Sequence, residues 1–564
     1  MLPILPKTTP LLQRQIKGFG GIDRRQGAKE SCFFSFTGVD NNEGTLLETK
    51  NSIKWVNMNY TLESNEFIAT KNSEGETDIY SLGLYGFYKN GVPIPLFKIY
   101  TNLNIKWTTK HMNDFELSGD NQYLWTGDCS DTKLLRFEDY IIAIPQMLYT
   151  DGTKTYRLDG ASILEVKNYN AINENGEIIL KSVTGDTGAL KHIKPGSVIE
   201  VFVNNKSMSG EIKFVSAKGG NVTFKWIKEN GTQAYASDLD LVGDDNIIMI
   251  RQKNLPVFTD ATIMYNRLWG VSGKKVYASN LGNPFSFAAS DGSASDAWWA
   301  DTDGVESFTS ISAINGRVVA CKKNATYEIY GIVNPFTIKD VSRSMGCVSR
   351  DTLKEVNGVL LMLTTEGISA YGGGRFVNVN EALATIGQEG SAVGIGGMYY
   401  ILLKDGVYKY NYYTGLWTNV TKKPLIKLFC VEGDVFGIDA NYNVFQLTGE
   451  EKDFLSYNEN IPQVWEIESV TIGGDDFYAE GINGIELRLE GITSGNITVE
   501  ISRDGGEFQR YFADELKGGW QIFTVPIYLK PCSCFKYKLT GTGQVRLRLI
   551  KYSYRKTGKG LRYE

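Results

Sequence analysis

The chain has 564 residues, of which 42% are hydrophobic and 22% are charged, and its formal net charge is −5. This composition is ordinary for a globular chain with room for several domains, and the mildly acidic balance does not support a nucleic-acid-binding surface. No apolar run approaches the roughly 20 residues of a membrane helix, and residues 1–10 lack the apolar core of a signal peptide. We therefore expect neither a membrane-spanning segment nor Sec-dependent export.

The first 40 residues are predicted to be an N-terminal arm. The segment Met1–Gln15 contains Pro3, Pro6 and Pro10 and shows little hydrophobic periodicity. A segment of this kind does not fold alone but can become ordered on binding. We expect it to order against a neighbouring chain, with folding unaffected by its removal.

Residues 41–162 and 257–457 repeat a two-strand unit. Each copy opens with a small or polar residue and a strand, then has a turn and a second strand rich in Tyr. The copies begin at Gly83, Asp139, Asn266, Asn315, Asn357, Gly397 and Gly433, and the last five are 49, 42, 40 and 36 residues apart. A period of roughly 40 residues with four strands per unit is typical of a β-propeller. The sequence therefore predicts an all-β protein with a propeller of about seven blades.

The segment Leu46–Val56 precedes the first clear repeat and contains the strand-like residues Ile53–Val56. Propellers often complete one blade with strands from both ends of the chain. We therefore expect this segment to pair near the last repeat, around Val435–Leu447.

Two further β domains interrupt or follow the repeats. Residues 163–256 exceed one repeat period and contain at least three strand patterns, so they are predicted to form an inserted small β-barrel or β-sandwich. Residues 458–564 contain strictly alternating strands such as Ile485–Glu490 and Val545–Ile550. This alternation predicts a C-terminal β-sandwich.

Chemistry-bearing motifs are scarce in the sequence. Only two histidines are present, His111 and His192, which argues against a His-based triad or metal site. The pair Trp298–Trp299 could be an exposed sugar platform, although core or interface packing is the favoured interpretation. We predict no catalytic, cofactor-binding or metal-binding residues, no cofactor, and no enzymatic activity.

Two runs of residues resemble a known group of proteins. Ile16-Lys-Gly-Phe-Gly-Gly-Ile-Asp-Arg24, followed by Phe33–Asn41, is similar to the opening of tailed-phage virion propeller proteins, and Tyr265–Val271, followed by Val276–Phe287, is similar to a blade signature of the same group. That group includes the tail nozzle proteins of short-tailed phages and the tail hub or stabilisation proteins. The resemblance implies a homo-oligomeric ring, commonly six-fold, around the DNA exit path, with other tail or portal-proximal proteins as partners. It also implies transient passage of DNA without specific binding, and a place in the virion tail after synthesis in the host cytoplasm.

Three functions follow as alternatives. The first is a structural component of a tailed-phage virion, a ring-forming nozzle or hub protein that lines or closes the DNA exit path. The second is a peripheral receptor- or glycan-binding module, which exposed Trp and Tyr side chains on the C-terminal sandwich would favour. The third is a propeller glycosidase, which requires two or three carboxylates converging in the central funnel.

Overall fold

The structure is a computed structural model built almost entirely of β-strands. It describes residues 11–41, 47–49, 52–56, 64, 66–83, 86–94, 115–117, 123–125, 129–185, 187–204, 206–287, 292–383, 387–458, 461–462, 464–473, 479–527 and 532–556. Within these ranges no helix is long and apolar enough to cross a membrane. The helical turns are short 3-10 segments: Asn168–Asn170, Ala189–His192, Ala236–Leu239, Arg350–Thr352 and Glu381–Leu383.

Seven antiparallel blades form the propeller, as the repeats predict. Blades 1 to 5 are separate four-stranded sheets, blade 6 is part of a ten-stranded sheet, and the sheet of blade 7 has Ile461–Pro462 as a fifth strand. Blade 1 consists of Phe67–Lys71, Thr77–Gly83, Gly86–Lys89 and Val92–Pro93, and blade 2 consists of Lys133–Phe137, Tyr140–Ile144, Leu148–Thr150 and Thr155–Arg157. Blade 3 consists of Asp260–Met264, Arg267–Ser272, Lys275–Ala278 and Trp298–Asp301, and blade 4 consists of Phe308–Ile314, Arg317–Lys322, Thr326–Tyr330 and Thr337–Ser342. Blade 5 consists of Lys354–Val356, Val359–Thr364, Gly367–Tyr371 and Phe376–Asn378, and blade 6 consists of Ser391–Ile395, Met398–Leu403, Gly406–Asn411 and Leu416–Thr421. Blade 7 consists of Lys427–Val431, Asp434–Ile438, Val444–Gln446 and Ser52–Val56.

The blades close into a ring through their innermost strands, which are the first strands of blades 1 to 7. Each innermost strand contacts that of the next blade, and the strand of blade 7 contacts that of blade 1. Apolar side chains fill the spaces between blades; Phe67 of blade 1, for example, lies 4.9 Å from Phe429 of blade 7, measured between ring centroids. The ring therefore buries a continuous series of hydrophobic contacts.

The predicted closure is confirmed for Ser52–Val56, whereas Leu47–Thr49, in the first half of the predicted segment, pairs in the C-terminal sandwich, where Leu47 lies opposite Leu547. The strand Ser52–Val56 pairs antiparallel with Val444–Gln446, with Val56 opposite Val444 and Trp55 opposite Phe445. The fourth strand of blade 7 thus comes from the N-terminal part of the chain, and the short strand Ile461–Pro462 pairs along its outer edge. This pairing joins two distant parts of the sequence in one sheet.

The repeat signal in the sequence arises from the turn between the first and second strands of a blade. In blade 4 this turn holds Asn315 and Gly316 at φ of 44° and 77°, and in blade 5 Asn357 and Gly358 adopt 51° and 77°. Asn and Gly tolerate this left-handed region best, and a two-residue turn of this kind matches the twist of the strands it joins.

The inserted domain is one nine-stranded sheet around its own apolar core. Its strands are Ser162–Val166, Ala171–Glu174, Glu177–Leu180, Thr184–Gly185, Val198–Val203, Lys206–Ser207, Glu211–Lys218, Asn221–Ile227 and Asn246–Gln252. It is anchored to the propeller at His192, whose ring packs 5.3 Å from Tyr140 of blade 2 and 4.5 Å from Phe285 of blade 3. Burial among these rings lowers the pKa of His192.

The C-terminal sandwich is completed by N-terminal strands. One sheet contains Leu11–Ile16, Val39–Asp40, Leu47–Thr49, Ala479–Gly491, Gly519–Pro526 and Val545–Lys556. The facing sheet contains Phe33–Thr37, Trp465–Ser469, Ile472–Gly473, Gly495–Arg503, Gln509–Leu516 and Cys534–Thr542. The expectation that Met1–Gln15 orders only against a neighbour is corrected for Leu11–Gln15, because this segment already pairs with the chain's own last strand.

Propeller and sandwich share one sheet. Phe33–Thr37 lies between the outermost strand of blade 6 and Trp465–Ser469 of the sandwich, and Thr37 is bridged to Asn419. The loop before it adds a backbone bond, since Ile22 N donates to the carbonyl of Trp417 at 2.8 Å. The two domains are therefore linked by main-chain hydrogen bonds as well as by the covalent chain.

Candidate functional site

Charged side chains gather where the innermost strands begin, at one end of the propeller channel. This central charge cluster contains four carboxylates and four cations: Glu66, Asp131, Asp260, Asp351, Lys133, Arg350, Lys354 and Lys427. Each residue is at, or within a few positions before, the first residue of an innermost strand. The formal charges in the cluster balance, which is what burial of several ions requires.

Lys427 joins blade 7 to three other blades. Its Nζ lies 2.9 Å from Glu66 Oε2, before blade 1, and 3.5 Å from Asp351 Oδ2, before blade 5. It also donates a hydrogen bond to the carbonyl of Thr132, at the start of blade 2. Only 5% of the Lys427 side chain is exposed. This side chain therefore lies across the end of the channel.

Arg350 makes a second set of contacts across the ring. Its Nη2 donates to Asp131 Oδ1 at 2.7 Å, its Nη1 donates to the carbonyl of Thr259 at 3.1 Å, and its Nε lies 3.2 Å from Asp351 Oδ1. Blade 5 is thereby connected to blades 2 and 3. The guanidinium holds two carboxylates at once, a geometry suited to Arg.

Asp260 holds blades 2, 3 and 4 together and is 1% exposed. Its Oδ1 lies 2.7 Å from Lys133 Nζ, and its Oδ2 accepts a hydrogen bond from the backbone N of Ile311 at 2.8 Å. The carboxylate thus has partners on both oxygens. A buried carboxylate whose two oxygens bind groups on the neighbouring blades stabilises the closed ring.

The cluster sets the ionisation of its members. Burial alone would raise the pKa of Asp351, but Lys427 and Arg350 outweigh it and hold this pKa well below its usual range. For Lys427 burial acts to lower the pKa, and Glu66 and Asp351 reverse that effect and raise it. The pKa of Asp131 is raised, first by burial and then by the neighbouring Asp351 carboxylate, against the effect of Arg350.

A cavity of about 380 Å³ opens beside the cluster and is lined in part by Asp131, Asp351 and Glu389. Carboxylates thus converge at the propeller centre, which is the feature the glycosidase alternative requires. Sequence reasoning missed them because their spacing along the chain carries no signal of spatial proximity. Among the described residues, no group of three or more His, Cys, Asp or Glu side chains is placed to hold a metal ion.

An apolar edge is exposed on the sandwich. In the strand Gly519–Pro526, Trp520 and Ile522 point to the same side and are 65% and 64% exposed. Arg548 lies over the Trp520 ring, 5.7 Å from its centroid. Large exposed apolar side chains next to each other are typical of a surface that contacts another molecule. We refer to this patch as the sandwich edge.

The pair Trp298–Trp299 divides between two environments. Trp298 packs against Phe336 and Trp269, with ring centroids 5.5 Å and 6.1 Å away. Trp299 is 55% exposed. Packing against neighbouring core side chains therefore describes Trp298, while Trp299 is left on the surface of the single chain.

No protein-family model and no curated protein matches the sequence. Solved structures that match include an exo-β-1,3-galactanase from Phanerochaete chrysosporium, with 9% identity, coverage of 79% of this chain and 99% of that one, and a TM-score of 0.18. The Pan2 WD40 domain of Neurospora crassa matches with 7% identity, coverage of 46% and 88%, and a TM-score of 0.25. TmCBM61, solved with β-1,4-galactotriose, matches with 16% identity, coverage of 16% of this chain and 63% of that one, and a TM-score of 0.14.

These matches concern the fold alone. The expectation that this chain has no enzymatic activity is corrected on the geometry of the site, because Asp131, Asp351 and Glu389 line the cavity beside the central charge cluster.

Proposed function

We propose that the protein is a structural component of a tailed-phage virion and forms a ring in the tail, at the level of the nozzle or hub. The observation that carries this proposal is that the N-terminal part of the chain is built into both domains. Ser52–Val56 completes blade 7, and the strands from Leu11 to Thr49 complete the sandwich. Such a body suits a subunit that bears load within a particle, since few strand edges are left unpaired.

The central charge cluster supports a particular place for the DNA path. Lys427 and Arg350 reach across the channel end of the propeller. A passage for DNA would therefore run between copies of the chain, at the axis of the ring. The net charge of −5 fits such a passage, because an acidic wall does not retain phosphates.

The sandwich edge is the proposed contact between copies. Trp520 and Ile522 are exposed in the single chain, and their burial in a ring would remove apolar surface from water. Aromatic side chains of this kind are frequent at the centres of interfaces.

The test is to purify particles from cells that carry the gene and to measure their protein content by quantitative mass spectrometry. We expect each particle to contain a fixed number of copies of the chain, consistent with a closed ring. Antibody labelling should be confined to the tail. Particles that lack the chain, or that carry it in variable trace amounts, would overturn the proposal.

A second candidate, glycoside hydrolysis, is favoured by one specific observation. Asp131 and Asp351 share the guanidinium of Arg350 beside the 380 Å³ cavity, yet their pKa values move in opposite directions. A glycosidase needs one protonated carboxyl group as general acid and one ionised carboxylate, so the two groups must have different pKa values. Release of reducing ends from polysaccharides by the purified protein, lost in Asp131→Asn, would support this candidate. Equal release by the variant would refute it.

A further inference from the structure

A cleft of about 580 Å³ lies between the inserted domain and blade 3. One wall comes from the insert and from the segment that leads back to the propeller, and the other comes from the two outer strands of blade 3. The lining residues used below are Ser197, Glu211, Lys213, Gln252, Tyr277 and Trp299. A cleft of this volume is in the range of small-molecule binding sites.

The two walls are fixed to each other. Lys194 of the insert places its Nζ 2.5 Å from Asp296 Oδ1 of blade 3, and the Asp296 side chain is fully buried. Asn283 Nδ2 donates to the carbonyl of His192 at 2.7 Å. The cleft is therefore preformed, so a ligand would not have to order its walls.

Trp299 gives the cleft an aromatic surface. It pairs with Tyr277 on the neighbouring strand, so that two aromatic side chains lie next to each other on the same face of the sheet. Lys275 Nζ lies 4.2 Å from the centroid of the Trp299 ring and helps to hold it. More than half of Trp299 remains exposed, at 55%.

Two residues that line the same cleft each carry a buried polar atom without a hydrogen-bond partner among the described residues. These atoms are Ser197 Oγ and Gln252 Oε1, in side chains that are 3% and 7% exposed. A buried polar atom without a partner costs about 1–3 kcal/mol, so such atoms are uncommon in folded proteins. A ligand with hydroxyl groups would supply what both atoms need, because a hydroxyl can donate and accept.

We propose that this cleft binds an oligosaccharide. The apolar face of a sugar ring would stack on Trp299. Rotation of the Gln252 and Ser197 side chains toward the cleft would let sugar hydroxyls donate to Gln252 Oε1 and exchange hydrogen bonds with Ser197 Oγ. Glu211 and Lys213 form a 2.8 Å ion pair at the rim, so this cation is already neutralised and does not favour a phosphorylated ligand. The inference does not depend on the virion role proposed above.

The test uses the full chain and a panel of oligosaccharides of glucose, galactose, mannose, rhamnose and N-acetylglucosamine, with binding measured by calorimetry and tryptophan fluorescence. We expect at least one of these sugars to bind. Trp299→Ala should weaken that binding by about tenfold or more. The matched control is Tyr413→Ala, which removes an exposed aromatic side chain from blade 6, outside the cleft, and should leave the affinity unchanged.

A second variant separates binding from folding. Gln252→Leu keeps the side-chain volume but removes the unpaired acceptor, so the free protein should be as stable as the original or more stable, while sugar affinity falls about fivefold or more. A purely structural role of Gln252 would instead lower the melting temperature. The proposal is overturned if no sugar in the panel binds, if Trp299→Ala binds equally well, or if a peptide library binds in the cleft and the sugars do not.

Discussion

Lys427 Nζ lies 2.9 Å from Glu66 Oε2, and this contact joins the last blade of the propeller to the first. The same two blades are the ones that chain closure must bring together. Ser52–Val56 supplies the fourth strand of blade 7, while Lys427 acts at the channel end of its innermost strand. The ring is thus fastened at its rim by backbone hydrogen bonds and at its centre by charge.

Loss of the ammonium at position 427 is expected to destabilise the whole chain. Lys427→Met keeps much of the volume but leaves Glu66 and Asp351 without this partner, which should cost about 3 kcal/mol of unfolding free energy. The measurement is urea-induced unfolding. Lys206→Met is the control, because Lys206 pairs with Asp240 while 78% exposed and should cost less than about 1 kcal/mol. Equal losses in the two variants would contradict the bracing role.

Acid should weaken the central charge cluster in a defined direction. The pKa of Asp351 in the folded chain lies below its ordinary value of 3.8. Its contribution is therefore complete above that value and is lost as the pH falls through the folded pKa. We expect the unfolding free energy of the original chain to decrease as the pH is lowered from about 4 to about 2. Over the same interval the difference in unfolding free energy between the original chain and Asp351→Asn should become smaller. A difference that stays constant down to about pH 2 would show that this carboxylate does not carry the effect.

The closing strand can be tested by a small truncation. Val56 is 2% exposed and packs in the apolar cluster between blades 7 and 1, so Val56→Ala should cost on the order of 2 kcal/mol. Val92→Ala removes the same atoms from a residue that is 65% exposed and should leave stability unchanged. The measurement is the melting temperature of each variant. A similar decrease in melting temperature in both variants would argue against closure by Ser52–Val56.

Local signals in the sequence were sufficient for the propeller. The turn residues Asn315–Gly316 and Asn357–Gly358 adopt positive φ, so their recurrence marks the same place in successive blades. The closing strand was also predictable, because a ring needs a partner for its last sheet. The exposed strand Gln509–Leu516 was missed, since most of its side chains are solvent-facing and it lacks the alternation of a half-buried strand.

Contacts between distant residues had no such signal. Leu11 pairs opposite Arg555, near the other end of the chain, and nothing in either segment indicates its partner. The central charge cluster is also made of residues that are far apart in the sequence. Lys427 and Asp351 each precede or begin an ordinary strand, and only closure of the ring brings them together. The unpaired Gln252 Oε1 likewise becomes informative only once its burial is known.

The sandwich edge should affect assembly without affecting folding. Trp520→Ala combined with Ile522→Ala removes side chains that are 65% and 64% exposed, so the melting temperature should stay the same while any oligomer dissociates. Native mass spectrometry of the purified chain checks this. Tyr235→Ala with Val242→Ala is the matched control on the inserted domain, where the side chains are 53% and 68% exposed. Normal assembly of the Trp520 and Ile522 variant would remove this edge from the interface.

The most direct test of the virion role is electron cryomicroscopy of intact particles purified from cells that carry the gene. The account predicts a closed ring of this chain in the tail, with Trp520 and Ile522 buried between copies and the DNA path on the ring axis, outside each propeller. Particles whose tails contain no density for this propeller and sandwich would contradict it.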